Sequence, residues 1–395
     1  MLLTTPPSLK SSLLLSLLLT PLPSLAQFQL PALTGPYTVA QTTAKLTDTN
    51  RTDPYDPANG TRNVMITLFT PVPPRSCQQT CQLPYMPPQT AALINAGATA
   101  LYGIPENTFS SFSIPACCKT SNSASSSFSK VPLILFSPGL QGSRLLYSYL
   151  AATLSSHGYI VATLDHTYEA MVVEYPDGTL IPGLNDTFFD PRVPGLLDTA
   201  LAVRVADSRF VLNQLGKADV VKKLLPGASC GLNTKSVGFY GHSFGGATAI
   251  AAASSDPRFL AAANLDGRQF GDLSSLRPQQ SILFFGRAEP NPHNRTDDET
   301  WQTGFAAAKG WKRVLGLKDS AHSTFADFVV LAEVARLPLS EELKELVGGL
   351  EAGRVVEILG TYVKSFFGRV LKGERTGLFE GGKKEFPEVV VDGVR

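Results

Sequence analysis

The stretch Tyr240-Gly241-His242-Ser243-Phe244-Gly245-Gly246 limits the fold of this chain more than any other. An apolar run, residues 236–240, leads straight into it, and a run of Ala, Gly, Thr and Ile, residues 245–254, leaves it without a linker. A strand that passes into a helix within so few residues has to turn sharply, and the backbones on either side of the turn then lie almost in contact. Glycine at both flanks removes the Cβ that would collide there. The residue at the tip stands above the sheet edge and at the start of the helix, where unpaired amides and the helix dipole favour negative charge. The rival reading, a tight turn around an inert Ser243, gives no reason for these glycines to accompany a strand and a helix.

From residue 131 onward the pattern fits such a sheet. Short apolar runs at 131–136, 159–164, 236–240, 261–265 and 281–285 alternate with helix-length segments at 148–157, 196–215 and 245–254. In the second of these, Leu197, Leu201, Ala206, Phe210 and Leu215 recur at helical spacing. Strands that are apolar throughout must be covered on both faces, so the expected fold class is α/β: a mostly parallel central sheet with helices on both faces. Residues 171–181, with Pro176-Asp177-Gly178 at the centre, read as a hairpin excursion. A final helix is expected over 353–372, with Val355, Ile358, Leu359, Tyr362, Val363, Phe366, Phe367, Val370 and Leu371 on one face. That face suits closure of the core, and a transient contact with a lipid surface is the alternative. No internal repeat is evident.

The chain divides by composition into 1–26, 27–130, 131–380 and 381–395. Residues 1–26 read as a signal peptide: Lys10 is the positive region, 13–22 the apolar core, and Ser24-Leu25-Ala26 the small residues at a cleavage point. Pro21, Pro23 and the interrupting Ser and Thr make this run too short for the roughly 20 apolar residues of a membrane anchor. Secretion is the expected localisation. The sequons at Asn50, Asn59, Asn185 and Asn294 agree with it. Residues 27–130 are rich in Pro, Ser, Thr and Gln and hold one strand-like run, 63–69, expected at a sheet edge, while 121–127 reads as a low-complexity loop. Cys77, Cys81, Cys117 and Cys118 fall in this segment, so one or two disulfides are expected there, with Cys230 left over. A zinc site is the weaker reading, because the adjacent pair strains tetrahedral geometry. The core is followed by a short tail, 381–395.

Charge excludes one class of partner. The 34 basic side chains nearly cancel the 33 acidic ones and form no block, whereas phosphate backbones need clustered positive charge; no nucleic-acid partner is expected. Hydrophobic residues at 43% likewise exclude a disordered chain.

A serine hydroxyl is a weak nucleophile at neutral pH and needs a base held in one tautomer by an acid. The histidines are His157, His166, His242, His293 and His322. His157 reads as a helix cap, His166 as a pocket wall, His242 as part of the turn with its side chain directed away from Ser243, and His293 as a charged-loop residue. His322 lies in Ala321-His322-Ser323-Thr324-Phe325-Ala326-Asp327-Phe328, after the last strand, where chain order puts the base. The acid should fall between Ser243 and His322. Asp266 and Glu289 each follow an apolar strand and stand nearly level, with Asp165 a weaker third. For the oxyanion, the Phe244 amide at the helix start and an amide of Gly139-Leu140-Gln141-Gly142, after the first strand, are the candidate donors.

These residues also resemble a known family. Phe136-Ser137-Pro138-Gly139-Leu140, Arg144, Leu146-Tyr147-Ser148 and 156–162 are similar to the oxyanion-loop region of the plasma and type II platelet-activating-factor acetylhydrolases. Gly241 to Gly246, Leu265-Asp266 and His322 with Phe325-Ala326-Asp327-Phe328 add three more matching segments, over about residues 35–367. The resemblance implies an α/β-hydrolase fold and calcium-independent removal of short or oxidised sn-2 acyl groups from phospholipids. It also implies Asp266 as the acid and the amides of Leu140 and Phe244 as the oxyanion donors. One departure is Pro138, where the family commonly carries His. The expected mechanism is an acyl-enzyme on Ser243 with His322 and Asp266, requiring no metal or other cofactor. The rivals are a cutinase-like or general short-chain esterase and, from another class, a catalytically inactive hydrolase fold that only binds.

Overall fold

The computed structural model describes residues 28–121, 128–190, 192–338 and 340–392. The expected signal peptide and most of the low-complexity run at 121–127 lie outside the described residues.

Among the described residues the central sheet has nine strands: β1 (Thr38–Thr52), β2 (Thr61–Val72), β3 (Leu133–Ser137), β4 (Ile160–His166), β5 (Val237–His242), β6 (Phe259–Leu265), β7 (Ser281–Arg287), β8 (Lys312–Leu317) and β9 (Val389–Asp392). Their spatial order is β9-β8-β7-β6-β5-β3-β4-β2-β1. The six strands from β8 to β4 are parallel, and β9, β2 and β1 join antiparallel at the two ends. Successive side chains on one strand serve opposite faces. On β3, Ile134 and Phe136 enter one core while Leu133 and Leu135 enter the other. The first core is closed by α1 (Ser148–Ser156) and α2 (Ala352–Phe367), the second by α3 (Leu196–Leu215) and α4 (Phe244–Ser255). This double burial is why the parallel strands read as unbroken apolar runs.

Two expectations change and one holds. The run at 63–69 belongs to β2, which pairs with both β1 and β4 and is interior. The sheet edge is β1, whose sequence TVAQTTAKLTDTNRT hides it, because an edge strand with solvent on one face keeps polar residues at alternate positions. The segment set apart as a tail adds β9, through Val314–Leu317 against Val389–Asp392. The apolar stripe of the last helix is consumed inside: Val355, Ile358, Leu359, Tyr362, Val363, Phe366 and Phe367 are all buried. This is the core closure the sequence suggests; Val370 and Leu371, from the same stripe, are half-buried and pack against that core.

The cysteine-bearing segment forms a small separate sheet, in which Cys77–Pro84 pairs antiparallel with Phe112–Thr120. Two disulfides fix that register, Cys77–Cys117 and Cys81–Cys118, with Cα separations of 5.8 and 5.9 Å, and Cys230 is free and exposed. Asp327 ties this region to the core. Its carboxylate accepts from the Tyr85 hydroxyl (2.7 Å) and from the amides of Tyr149 (2.7 Å) and Leu150 (3.1 Å) at the start of α1. The hairpin expected at 171–181 is present as Val172–Glu174 against Leu180–Pro182. No helix among the described residues is long and apolar enough to cross a membrane.

Candidate active site

Ser243 sits between β5 and α4 with φ 55° and ψ −126°, a conformation that costs a non-glycine residue of order 1–3 kcal/mol and persists only where its surroundings enforce it. The enforcement is visible. A Cβ on Gly245 would lie 2.0 Å from the Ser137 carbonyl oxygen, and one on Gly241 would lie 2.2 Å from the Gly245 backbone. The Ser243 amide donates to the Leu265 carbonyl at 2.8 Å, locking the turn to the end of β6.

Ser243, Phe244, Leu140, Asp266 and His322 line one cavity of about 640 Å³ at the carboxyl edge of the parallel strands. Parallel strands deliver all their carboxyl ends to one rim, which is why residues so distant in sequence share it. Asp266 follows β6 and His322 follows β8. His322 Nδ1 lies 2.6 Å from Asp266 Oδ2, with the imidazole side chain 46% exposed and the carboxylate fully buried. Burial alone would raise the Asp266 carboxyl, but hydrogen bonds from His293 and His322 and the charge of Arg287 outweigh it and hold the carboxyl well below its ordinary range. Asp266 is thus ionised at neutral pH and accepts a hydrogen bond from His322 Nδ1–H.

The other two acid candidates do not line the cavity. Glu289 is exposed, while Asp165 is buried and paired with Arg144. His166 does not line the cavity. It is buried between Asp207 (Nδ1 to Oδ2, 2.9 Å) and Ser137 (Nε2 to Oγ, 3.0 Å). His157 ends α1, as its sequence suggests, and its Nε2 lies 3.1 Å from Thr34 Oγ1.

Two histidines have larger parts than their sequence suggests. His293 is buried on the cavity wall, with Nδ1 2.9 Å from Asp266 Oδ1 and Nε2 2.9 Å from Asp298 Oδ2. Burial opposes charge on this ring, but the two carboxylates prevail and raise its pKa. Nothing in Pro292-His293-Asn294 announces this, because the pairing depends on a loop folding back over β7. His242 is buried, and burial, with the charge of His322 beside it, lowers its pKa to about 3. As a neutral ring it must donate from Nε2 to the His322 carbonyl (2.8 Å), so Nδ1 accepts from the Tyr147 hydroxyl (2.9 Å). Tyr147 in turn accepts from the Gly139 amide at 3.3 Å. This chain joins the loop after β3 to the backbone of His322.

A solved structure, a ferulic acid esterase from Streptomyces cinnamoneus, matches this chain with a TM-score of 0.75 and 28% identity, covering 93% of this chain and all of the other. Fold and site together define an ester hydrolase with an α/β-hydrolase fold. The family described as platelet-activating factor acetylhydrolase, isoform II, matches residues 23–177 and 226–337. A probable 1-alkyl-2-acetylglycerophosphocholine esterase from Arthroderma benhamiae is 33% identical over 386 residues, 92% of this chain and 94% of that protein. A platelet-activating factor acetylhydrolase from Cavia porcellus is 31% identical over about half of each chain. The chain belongs to the platelet-activating factor acetylhydrolase family, isoform II type.

Proposed function

We propose that this protein is a secreted serine esterase that removes short or oxidised sn-2 acyl groups from phospholipids. Ser243 Oγ attacks the ester carbonyl. His322 Nε2 takes the hydroxyl proton and later returns it to the leaving alcohol, while Asp266 holds Nδ1–H and offsets the imidazolium charge. The amides of Leu140 and Phe244 receive the oxyanion. Water then repeats the sequence on the acyl-enzyme, with His322 as base, and frees Ser243.

The observation that carries this reading is the 2.6 Å contact between His322 and a buried, ionised Asp266 on the wall of the cavity that Ser243 enters. The substrate class rests on the relatives, above all the Arthroderma protein matched along nearly its whole length. Secretion is supported by the two disulfides, by the character of residues 1–26, and by exposed sequon asparagines at 50, 59 and 185.

A second reading, a general short-chain or aryl-acyl esterase, is favoured by the Streptomyces neighbour and by Phe244 and Phe270, which meet edge to face at 5.6 Å on the cavity wall. The test is direct. Ser243→Ala should abolish turnover of p-nitrophenyl acetate and labelling by a fluorophosphonate, and retained turnover would refute the site. Preference for an sn-2 acetyl phospholipid over feruloyl esters and soluble polyesters supports the phospholipid reading; the reverse preference replaces it with the second.

A further inference from the structure

The loop after β3 carries four residues whose backbone has to be held still, Pro138 to Gln141, and a buried ion pair reaches most of them. Arg204, on the inner face of α3, is 1% exposed, as is Glu169, in the turn after β4. The two are joined through Arg204 Nε and Glu169 Oε2 at 2.7 Å and through a second, shorter contact between Nη2 and Oε1. Arg204 Nη1 also donates to the Pro138 carbonyl (2.7 Å) and to Ser137 Oγ (3.1 Å), and Nη2 donates to the Gly139 carbonyl (2.9 Å). Glu169 Oε1 accepts from the Gln141 amide at 3.3 Å. The guanidinium lies over the Phe244 ring, 4.8 Å from its centroid.

The planarity of the peptide bond turns these contacts into an orientation. In a trans peptide the carbonyl of one residue and the amide of the next point in opposite directions. Drawing the Gly139 carbonyl toward Arg204 therefore turns the Leu140 N–H away from Arg204. Leu140 and Ser243 share the cavity, and the Gly139 Cα is so placed that a Cβ on it would be 3.4 Å from the Ser243 Cβ. An unrestrained loop here has an easy alternative, because glycines at 139 and 142 tolerate a flip of the intervening peptides. A flip would present a carbonyl oxygen where a donor is needed. A buried ion pair is an expensive way to fill a core, since apolar groups of equal volume are often as stabilising or more so. What the pair adds is direction.

We infer that Arg204, locked by Glu169, is a positioning residue that fixes the Gly139–Leu140 peptide with its N–H toward Ser243 and so sets one of the two oxyanion donors. This rests on the oxyanion assignment proposed above. Arg204 touches no substrate and exchanges no proton. Its effect should appear when negative charge develops on the carbonyl oxygen, and hardly at all in ground-state binding.

The experiment compares Arg204→Gln, Arg204→Lys and Glu169→Gln with the parent enzyme on p-nitrophenyl acetate, with thermal melting as the check of folding. Arg204→Gln should lower kcat by about 10- to 100-fold, given that loss of one oxyanion donor costs about 10²–10³. KM should stay within about 3-fold, since uniform binding is untouched. Affinity for a trifluoromethyl ketone, which forms an oxyanion with the nucleophile, should fall in parallel with kcat/KM. Arg204→Lys keeps the charge but on a single donor nitrogen, and should lie between the parent and Arg204→Gln. A folded variant with kcat and ketone affinity within about 3-fold of the parent would overturn the inference, as would a loss confined to KM. If Arg204→Gln does not fold, the other two variants carry the same readout. Failure of all three to fold also overturns it, making the pair a requirement of the fold. Retained turnover in Ser243→Ala would instead refute the site itself, whatever Arg204 does.

Discussion

The two walls of the cavity around Ser243 are held by opposite means. On the wall built from the ends of β6 and β8, the imidazole of His322, the proposed base, is nearly half exposed and has a single carboxylate partner. On the wall built from the loop after β3, the supporting groups are out of water altogether: Arg204, Glu169, His166, Asp207 and Arg62 are each 1% exposed or less. The buried groups form one connected set. Arg62 meets Asp53 and Asp207, Asp207 meets His166, and His166 and Arg204 share Ser137 Oγ. The difference fits the roles proposed for each wall. A base that gains and loses a proton each turnover must keep access to water, because burial would penalise its charged form. A donor amide changes nothing during the reaction, so the groups behind it can be buried and immobile.

The exposed wall is the place for the largest effect. Asp266→Asn should lower kcat by about 10³- to 10⁴-fold with the fold intact, because His322 loses its enforced tautomer. Glu289→Gln, on an exposed side chain near the same rim, is the matched control and should leave steady-state kcat within about 2-fold. The reverse ranking would move the acid to Glu289.

The buried wall should respond in stability. Asp207 accepts from Arg51, Arg62 and His166 and has no exposure. Asp207→Asn leaves the Arg62 charge short of its partner and should cost about 3–5 kcal/mol in denaturant unfolding. A loss under about 1 kcal/mol would place this pair among the weak ion pairs of protein surfaces.

The smallest effect sharpens the boundary between the walls. His293 belongs to the exposed wall by position and resembles the buried one in its ties to Asp266 and Asp298. Its folded pKa is raised above the ordinary 6.5. Its contribution to stability is therefore full below that unfolded value and declines as pH rises through the higher folded one. The stability advantage of the parent over His293→Gln should shrink on raising pH through this window. The same variant should lower kcat by no more than about 10-fold, since His322 keeps its own carboxylate oxygen. An advantage that grew with pH would show that His293 is held neutral.

Much of the candidate site is legible in the residues alone. The turn at Ser243 could be read because its demands are local: two glycines, a strand and a small-residue helix within about a dozen positions. His322 could be proposed as the base from chain order, since it follows the last parallel strand. Between Asp266 and Glu289 the residues alone left two choices, which only the resemblance narrowed. The structure separates them physically: one carboxylate is buried against two imidazoles and the other faces solvent. Polar β1 escaped notice because edge strands lack the apolar signature of interior ones.

What the amino-acid sequence determined by itself is therefore the framework and the sharp turn that carries Ser243, because apolar periodicity and glycine spacing act over neighbouring residues. What only the tertiary structure decided is the set of polar partners that makes the framework a site. Asp266 with His293, Arg204 with the carbonyls of 138 and 139, and Tyr147 with His242 are pairs separated by 27 to 95 positions. Each exists because a packed sheet brings distant loops to one rim, and a buried polar group there must find its partner or destabilise the fold.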